Sequence, residues 1–330
     1  MEPKHKLDAL ADILNTIRLS ANTYFCSEFT SPWGMKIDKG SDGIFHVVVE
    51  GSCWLNINNS SRDPIHLNTG DIVAFPTGGA HSISDTLESK MLPGSQVVEN
   101  ILSGNNPFQE SLTKESLTKE PLSTQPTNPG ALHHNILMCG SFHYDSSINH
   151  PFLKDLPCFI HIKAEDTPEL HWLRSLVSVL ASEARLPAPG STVMVDRLTE
   201  VLFIQLMRAH METSPDRLNY MAALADPQIG PALNHIHAES EFHWTVERLG
   251  EAVSLSRTSF TEKFSRLVGM PPKTYLLNWR MQKAKTQLET TNTPMIDIAE
   301  SAGYSSEAAF SKAFKQFFDT TPGRARRKNK

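Results

Sequence analysis

The sequence predicts an α+β protein: a β-rich N-terminal part forming an antiparallel barrel or sandwich, a helical linker, and an all-α C-terminal part. Three observations carry this. Short β-rich runs lie between about Ile44 and Asp85, helical apolar spacing begins near residue 169, and a helix-turn-helix pattern occurs twice, about fifty residues apart. At 330 residues the chain exceeds the usual size of one domain, so two cores are expected.

Taken in order, the first element is a helix: Leu7, Leu10, Ile13, Leu14 and Ile17 recur at helical spacing with Asp8 and Asp12 between them. Those acidic residues interrupt the apolar centre a secretory signal needs, and four cysteines in 330 residues lack the density of a secreted disulfide scaffold. No stretch approaches the roughly 18 consecutive apolar residues of a membrane helix. A cytoplasmic protein without membrane contact is expected.

The strand-like runs FHVVVEG, CWLNIN and DIVAFP follow, separated by Gly, Asn, Asp and Pro. Residues 104–130 turn polar and carry the pentad ESLTK twice, which reads as a disordered insertion with too little apolar surface to offset its ordering entropy. Strand-like ILMCGSFHYD and CFIHIKA then resume the β-domain, giving it the bounds 1–168. Residues 169–225 form the linker, with apolar faces at Leu170, Leu173, Leu176, Val177 and Leu180, then at Leu198, Val201, Leu202 and Leu206. Core packing or a homodimer contact would use these faces.

The final part, 226–330, carries the strongest signal. WTVERLGEAVSLSRTSFTEKFSRLVGM reads as a helix, a turn at Ser254 to Ser256, and a second helix from Arg257 with Ser256 as its N-cap. Val246, Leu249, Val253, Leu255, Phe260, Phe264 and Leu267 supply one small core. The pattern returns in PMIDIAESAGYSSEAAFSKAFKQFFDTTPGRARR, with Gly303 in the turn, Ser306 as cap and a core from Ile296, Ile298, Ala299, Ala302, Tyr304, Phe310, Phe314 and Phe317. Between them a helix of roughly 18 residues spans about 27 Å, near the ~34 Å separation of successive major grooves. Charge agrees with a DNA partner. Residues 241–330 hold 15 Lys and Arg against 9 Asp and Glu, a net +6, while the remainder holds 16 against 27, a net −11.

This segment resembles the AraC/XylS DNA-binding domain in both units, the connecting helix with Arg280 and Ala284, and the closing Thr-Pro-Gly followed by Arg. The resemblance covers about ninety residues and implies a transcription regulator, commonly an activator, that binds double-stranded promoter DNA and has RNA polymerase as a candidate partner. Carried onto this chain, the base-facing positions would be Arg257, Thr258, Thr261 and Glu262 in the first recognition helix, and Glu307, Ala308, Ser311 and Lys312 in the second. Arg pairs bidentately with guanine and Glu accepts from cytosine N4, so Arg257, Glu262 and Glu307 are the expected base readers, with Lys312 and Lys315 on phosphate.

The β-domain resembles a cupin, a small double-sheet barrel whose mouth holds ligands. GDIVAFPTGGAHSISD places Gly70, Pro76, Gly78 and His81 at the spacing of the second cupin motif, with Asp85 where that motif has Asn. The first motif departs from the family: Ile44 stands at its glutamate position and no His-x-His precedes it, so neither metal nor cofactor is expected. His46 and His81 remain near the expected mouth as effector candidates. Cys26, Cys53, Cys139 and Cys158 contain no C-x-x-C, and Cys26 with Cys139 forms the candidate oxidant-sensing pair. The expectation is a regulator without catalytic residues, responding to a small molecule or an oxidant. A metal-dependent cupin enzyme fused to DNA-binding helices is the alternative.

Overall fold

A computed structural model describes residues 8–327 apart from 59–62, 110–133, 146–147, 165–170, 187 and 214–217, so most of the expected insertion lies outside the described residues. Contacts divide the chain into two compact units. One comprises residues 20–143 and 157–209; the other comprises 1–19, 144–156 and 210–330.

Among the described residues the first unit holds ten strands in two five-stranded sheets. In chain order they are β1 (Ser20–Thr30), β2 (Gly34–Ile37), β3 (Gly43–Glu50), β4 (Ser52–Ile57), β5 (Ile65–Asn68), β6 (Ile72–Phe75), β7 (His81–Ser84), β8 (Leu92–Pro93), β9 (His134–His143) and β10 (Ile160–Ile162). The sheet orders are β1-β9-β3-β6-β10 and β5-β4-β7-β2-β8. Their inner faces share one apolar core that includes Phe29, Trp33, Val48, Leu55, Val73 and Ile83. Trp33 is wholly interior because its indole N–H finds the Asn135 Oδ1 at 3.0 Å. Gly78 is required at its turn: φ is +67° and an added Cβ would meet the Asp42 carbonyl at 2.7 Å.

Helix α2 (Gly94–Leu102) packs on β1 and β2. Helix α4 (His171–Arg185) lies against β1 and β3, and α5 (Ser191–Thr213) brings Phe203 edge-on to Phe142 of β9 at 4.9 Å. The expected apolar faces are inward at Leu173, Val177, Leu180, Leu202 and Leu206, while Val201 faces outward.

The second unit is helical: α1 (Ala9–Thr16), α3 (Pro151–Lys154), α6 (Tyr220–Ala225), α7 (Ile229–Ala238), α8 (Val246–Ala252), α9 (Arg257–Val268), α10 (Pro272–Thr290), α11 (Met295–Ser301), α12 (Glu307–Phe318) and α13 (Pro322–Arg327). Helix α1 and the segment carrying α3 therefore belong with the helix-turn-helix elements, although in sequence they precede and interrupt the β-domain. Helices α8 and α9 pack through Leu249, Phe260 and Phe264; α11 and α12 pack on the far half of α10 through Ile298, Ala299, Phe310 and Phe314 against Met281, Ala284 and Leu288. Ile296 differs from the expected core. It is 36% exposed, because at the start of α11 its neighbour Met295 turns inward instead.

Candidate nucleic-acid interface and sensor cavity

The two recognition helices are built alike. Ser256 Oγ accepts the Ser259 N–H at 3.2 Å and Ser306 Oγ accepts the Ala309 N–H at 3.3 Å, so each helix begins with a capped, dipole-positive end. Burying Phe260, Phe264, Leu267 and Val268 turns the opposite face of α9 outward, leaving Arg257, Thr258 and Glu262 exposed and Thr261 half-buried. Helix α12 does the same with Glu307, Ala308, Lys312 and Lys315 exposed and Ser311 half-buried. Arg257 Nε pairs with Glu247 Oε1 of α8 at 2.9 Å on an open surface, a pair that water and salt weaken and that a guanine edge can replace. Thr261 Oγ1 is turned back onto the Arg257 carbonyl at 2.8 Å.

The two helix-turn-helix motifs are joined by α10, whose 19 residues span about 28 Å. Arg280, at its middle, donates from Nε to the Ser240 carbonyl at 2.7 Å and from Nη2 to the Phe242 carbonyl at 2.8 Å. Its guanidinium also abuts the second turn: a Cβ on Gly303, where φ is +87°, would lie 2.7 Å from Nη1. The corresponding turn of the first helix-turn-helix motif uses Ser254 with φ +58°.

The β-unit holds a cavity of about 670 Å³ walled by Phe25, Met35, Ile44 and Val98, with His46 and Cys139 also on its surface. That size suits a drug-sized molecule. Behind it runs a buried hydrogen-bonded chain: His46 Nδ1 to Cys139 Sγ at 2.9 Å, His46 Nε2 to His81 Nε2 at 2.8 Å, and His81 Nδ1 to the Gly79 carbonyl at 2.7 Å. Burial holds His46 well below the usual imidazole range and pushes His81 down to about 4, so both rings are neutral near pH 7. Each neutral ring has one N–H, which fixes every proton. The Gly79 carbonyl takes the His81 Nδ1–H, His81 Nε2 therefore accepts from His46 Nε2–H, and His46 Nδ1 accepts from the Cys139 S–H.

The register does not bring Cys26 and Cys139 together. Across the three strands Phe25, Cys139 and His46 form one row, while Cys26, Met138 and Val47 form the next. Successive residues of a strand face opposite ways, so Cys139 points into the core and Cys26 toward Arg185 of α4. Burial raises the Cys26 thiol to about 11 and Cys53 to about 12, and raises Cys139 well above its ordinary value. These three are protonated, weakly nucleophilic thiols at neutral pH.

Sequence reasoning missed a third group: the buried side chains of Asp12, His150, Tyr220, His237 and Tyr275 in the helical unit. No local sequence pattern marks them as a group.

Two capped helices with open faces on one connecting helix, in a chain that also folds a double-sheet barrel, define a DNA-binding protein of the tandem helix-turn-helix class. The chain belongs to the AraC-type transcription regulators with a cupin N-terminal domain: the cupin family profile matches residues 8–212, and a helix-turn-helix domain profile matches 249–328. It is 29% identical over 319 residues to the HTH-type transcriptional regulator AlkR of Acinetobacter baylyi, covering 96% of this chain and 98% of that protein. It is likewise 29% identical over 191 residues to the RCS-specific HTH-type transcriptional activator RclR of Escherichia coli, covering 58% and 67%. Among solved structures, the DNA-binding domain of AdpA in complex with a target DNA is 25% identical, covers 31% of this chain and 90% of that chain, and superposes with a TM-score of 0.29. Among the described residues no helix is long and apolar enough to cross a membrane.

Proposed function

We propose that this chain is a sequence-specific, cytoplasmic transcription activator without catalytic activity. It reads promoter DNA through α9 and α12 and responds to a small molecule held in the β-unit cavity. The observation that carries the DNA reading is the repeated placement of open positions, Arg257, Thr258 and Glu262 on one helix and Glu307, Ala308 and Lys312 on the other, each opposite a buried phenylalanine pair. Arg257, Glu262 and Glu307 read base edges, while Lys312 and Lys315 hold phosphate. Activation follows the printed role of the Escherichia coli relative and makes RNA polymerase the second macromolecular partner. A homodimer is supported by exposed Val193, Met194 and Val201 on α5 and Val179 on α4.

The cavity favours a small molecule over an oxidant as signal, because the thiols of Cys26, Cys53 and Cys139 are held protonated and Cys26 and Cys139 lie on opposite sheet faces. His46 and His81 then order the cavity wall. Binding of the purified protein to genomic fragments, with retained sites sequenced at one defined salt concentration, tests the reading. Enrichment of sites with two short elements, unchanged by peroxide or hypochlorite and shifted by a cavity ligand, is expected. Retention independent of sequence would overturn the DNA reading, and oxidant-dependent retention abolished by Cys139→Ser would replace the small-molecule signal with a redox one.

A further inference from the structure

The helix-turn-helix unit contains a buried polar hub built from three separate stretches of chain. Tyr275, near the start of α10, meets His237 Nε2 of α7 at 2.7 Å, His150 Nε2 at 3.1 Å and the Tyr220 hydroxyl of α6 at 2.5 Å. Asp12 of α1 holds His237 Nδ1 at 3.1 Å and reaches Lys283 of α10 at 3.5 Å. Burial keeps His150 and His237 neutral, and their outer partners fix the protons. The Phe152 N–H donates to His150 Nδ1 at 3.1 Å, so His150 Nε2–H donates to Tyr275. His237 Nδ1–H donates to the Asp12 carboxylate, so its Nε2 accepts the Tyr275 O–H. With its own proton committed, the Tyr275 oxygen accepts from both His150 and Tyr220, and every group is satisfied in one arrangement only.

Two of the stretches, 1–19 and 144–156, lie outside the helix-turn-helix repeat, and further bonds tie them in. The Ala9 N–H donates to Asn234 Oδ1 at 2.9 Å, Arg18 pairs with Glu289 of α10 at 3.2 Å, and the Tyr220 N–H donates to Asp155 at 2.7 Å. The Tyr275 ring in turn packs edge-on against Phe264 of α9 at 5.7 Å, so the hub bears on the first recognition helix as well as on the helix that leads to the second. Both stretches are direct continuations of paired strands: Leu19 precedes Ser20 of β1, and Tyr144 follows His143 of β9, its register partner. That strand pair carries Phe25 and Cys139 of the cavity wall, beside a register shift at Tyr24.

We infer that Tyr275 is a positioning residue for DNA reading: through its hydroxyl, α1 and the 144–156 segment fix α10 against α9, and with it the separation at which the two recognition helices meet one duplex. The inference rests on the DNA reading proposed above. It gives the continuations of β1 and β9 a direct grip on reader spacing.

The test uses the full chain. Sites are selected from random duplexes, and affinity is then measured at one salt concentration for a two-element duplex and for a duplex with one element scrambled. Tyr275→Phe is expected to lose tenfold or more on the two-element duplex and under twofold on the single-element one, and to select sites with a broadened spacing. Tyr220→Phe, which removes one hub donor but leaves both outer segments attached, is expected to keep the wild-type spacing. Should Tyr275→Phe fail to fold, His150→Asn, which can still cap α3, is expected to broaden the spacing in its place. An unchanged spacing and an equal loss on both duplexes would make the hub purely structural and overturn the inference. A wild-type protein that does not distinguish the two duplexes would overturn the DNA reading itself, and this inference with it.

Discussion

Replacing Gly303 by alanine adds one carbon where both the backbone and a neighbouring side chain resist it. The residue sits at φ +87°, and a left-handed conformation costs a residue with a Cβ about 1–2 kcal/mol. The new Cβ would lie 2.7 Å from Arg280 Nη1. A free arginine would move aside at small cost, but this one is fixed by bonds of 2.7 and 2.8 Å to the Ser240 and Phe242 carbonyls. Losing one such charged hydrogen bond costs about 1.5–3 kcal/mol, and the reduced entropy of the unfolded alanine chain returns about 0.4–1 kcal/mol. The net destabilisation is about 2–4 kcal/mol. Urea unfolding followed by tryptophan fluorescence reports it, since Trp244 and Trp279 both lie in this unit. Combining Gly303→Ala with Arg280→Ala separates the two contributions: in that background the alanine is expected to cost only the backbone part, about 1 kcal/mol. A single variant within about 0.5 kcal/mol of wild type, or an identical cost in both backgrounds, would refute the reasoning.

Arg257→Ala is expected to weaken binding to a selected site by about 1–3 kcal/mol and to relax preference at one base pair; an equal loss on every sequence would make Arg257 a phosphate contact. The depressed pKa of His81 makes the β-unit acid-sensitive. As pH falls below the unfolded value near 6.5, the unfolded chain takes the proton first, and stability drops by about 1.4 kcal/mol per pH unit until the folded value of about 4 is reached. His46 acts in the same direction, and a urea midpoint that stays constant from pH 7.5 to 5 would contradict the neutral relay. Alkylation of the native protein with iodoacetamide at pH 8 is expected to modify exposed Cys158 first and to spare Cys53 and Cys139 until unfolding. Mass mapping that finds Cys139 modified as fast as Cys158 would remove the physical case against oxidant sensing.

The helix-turn-helix units were legible because their signals are local. Ser256 and Ser306 cap helices that begin one residue later, Gly303 takes the turn conformation its residue type suggests, and the apolar spacing points Phe260, Phe264, Phe310 and Phe314 inward. Periodicity placed Ile296 in the core, where Met295 contributes instead, since helical phase is weakly defined in the first turn of a seven-residue helix. The cupin motif located His81 but not its bond to His46, which depends on two strands of different sheets. The relation of Cys26 to Cys139 was hidden by the register shift between Thr23 and Phe25, which no composition signal announces. The hub was least legible of all. Asp12 and His237 lie 225 residues apart, and His150 and Tyr275 lie 125 apart, so their meeting follows from tertiary packing alone.

Hydroxyl-radical footprinting of the wild-type protein on a selected duplex addresses the two-reader account most directly. Two protected segments centred about one helical turn, ~34 Å, apart on one face of the DNA are predicted, with Arg257→Ala weakening protection of one segment only. A single protected segment, or protection that spreads evenly along the duplex and disappears with salt, would contradict reading by α9 and α12 together.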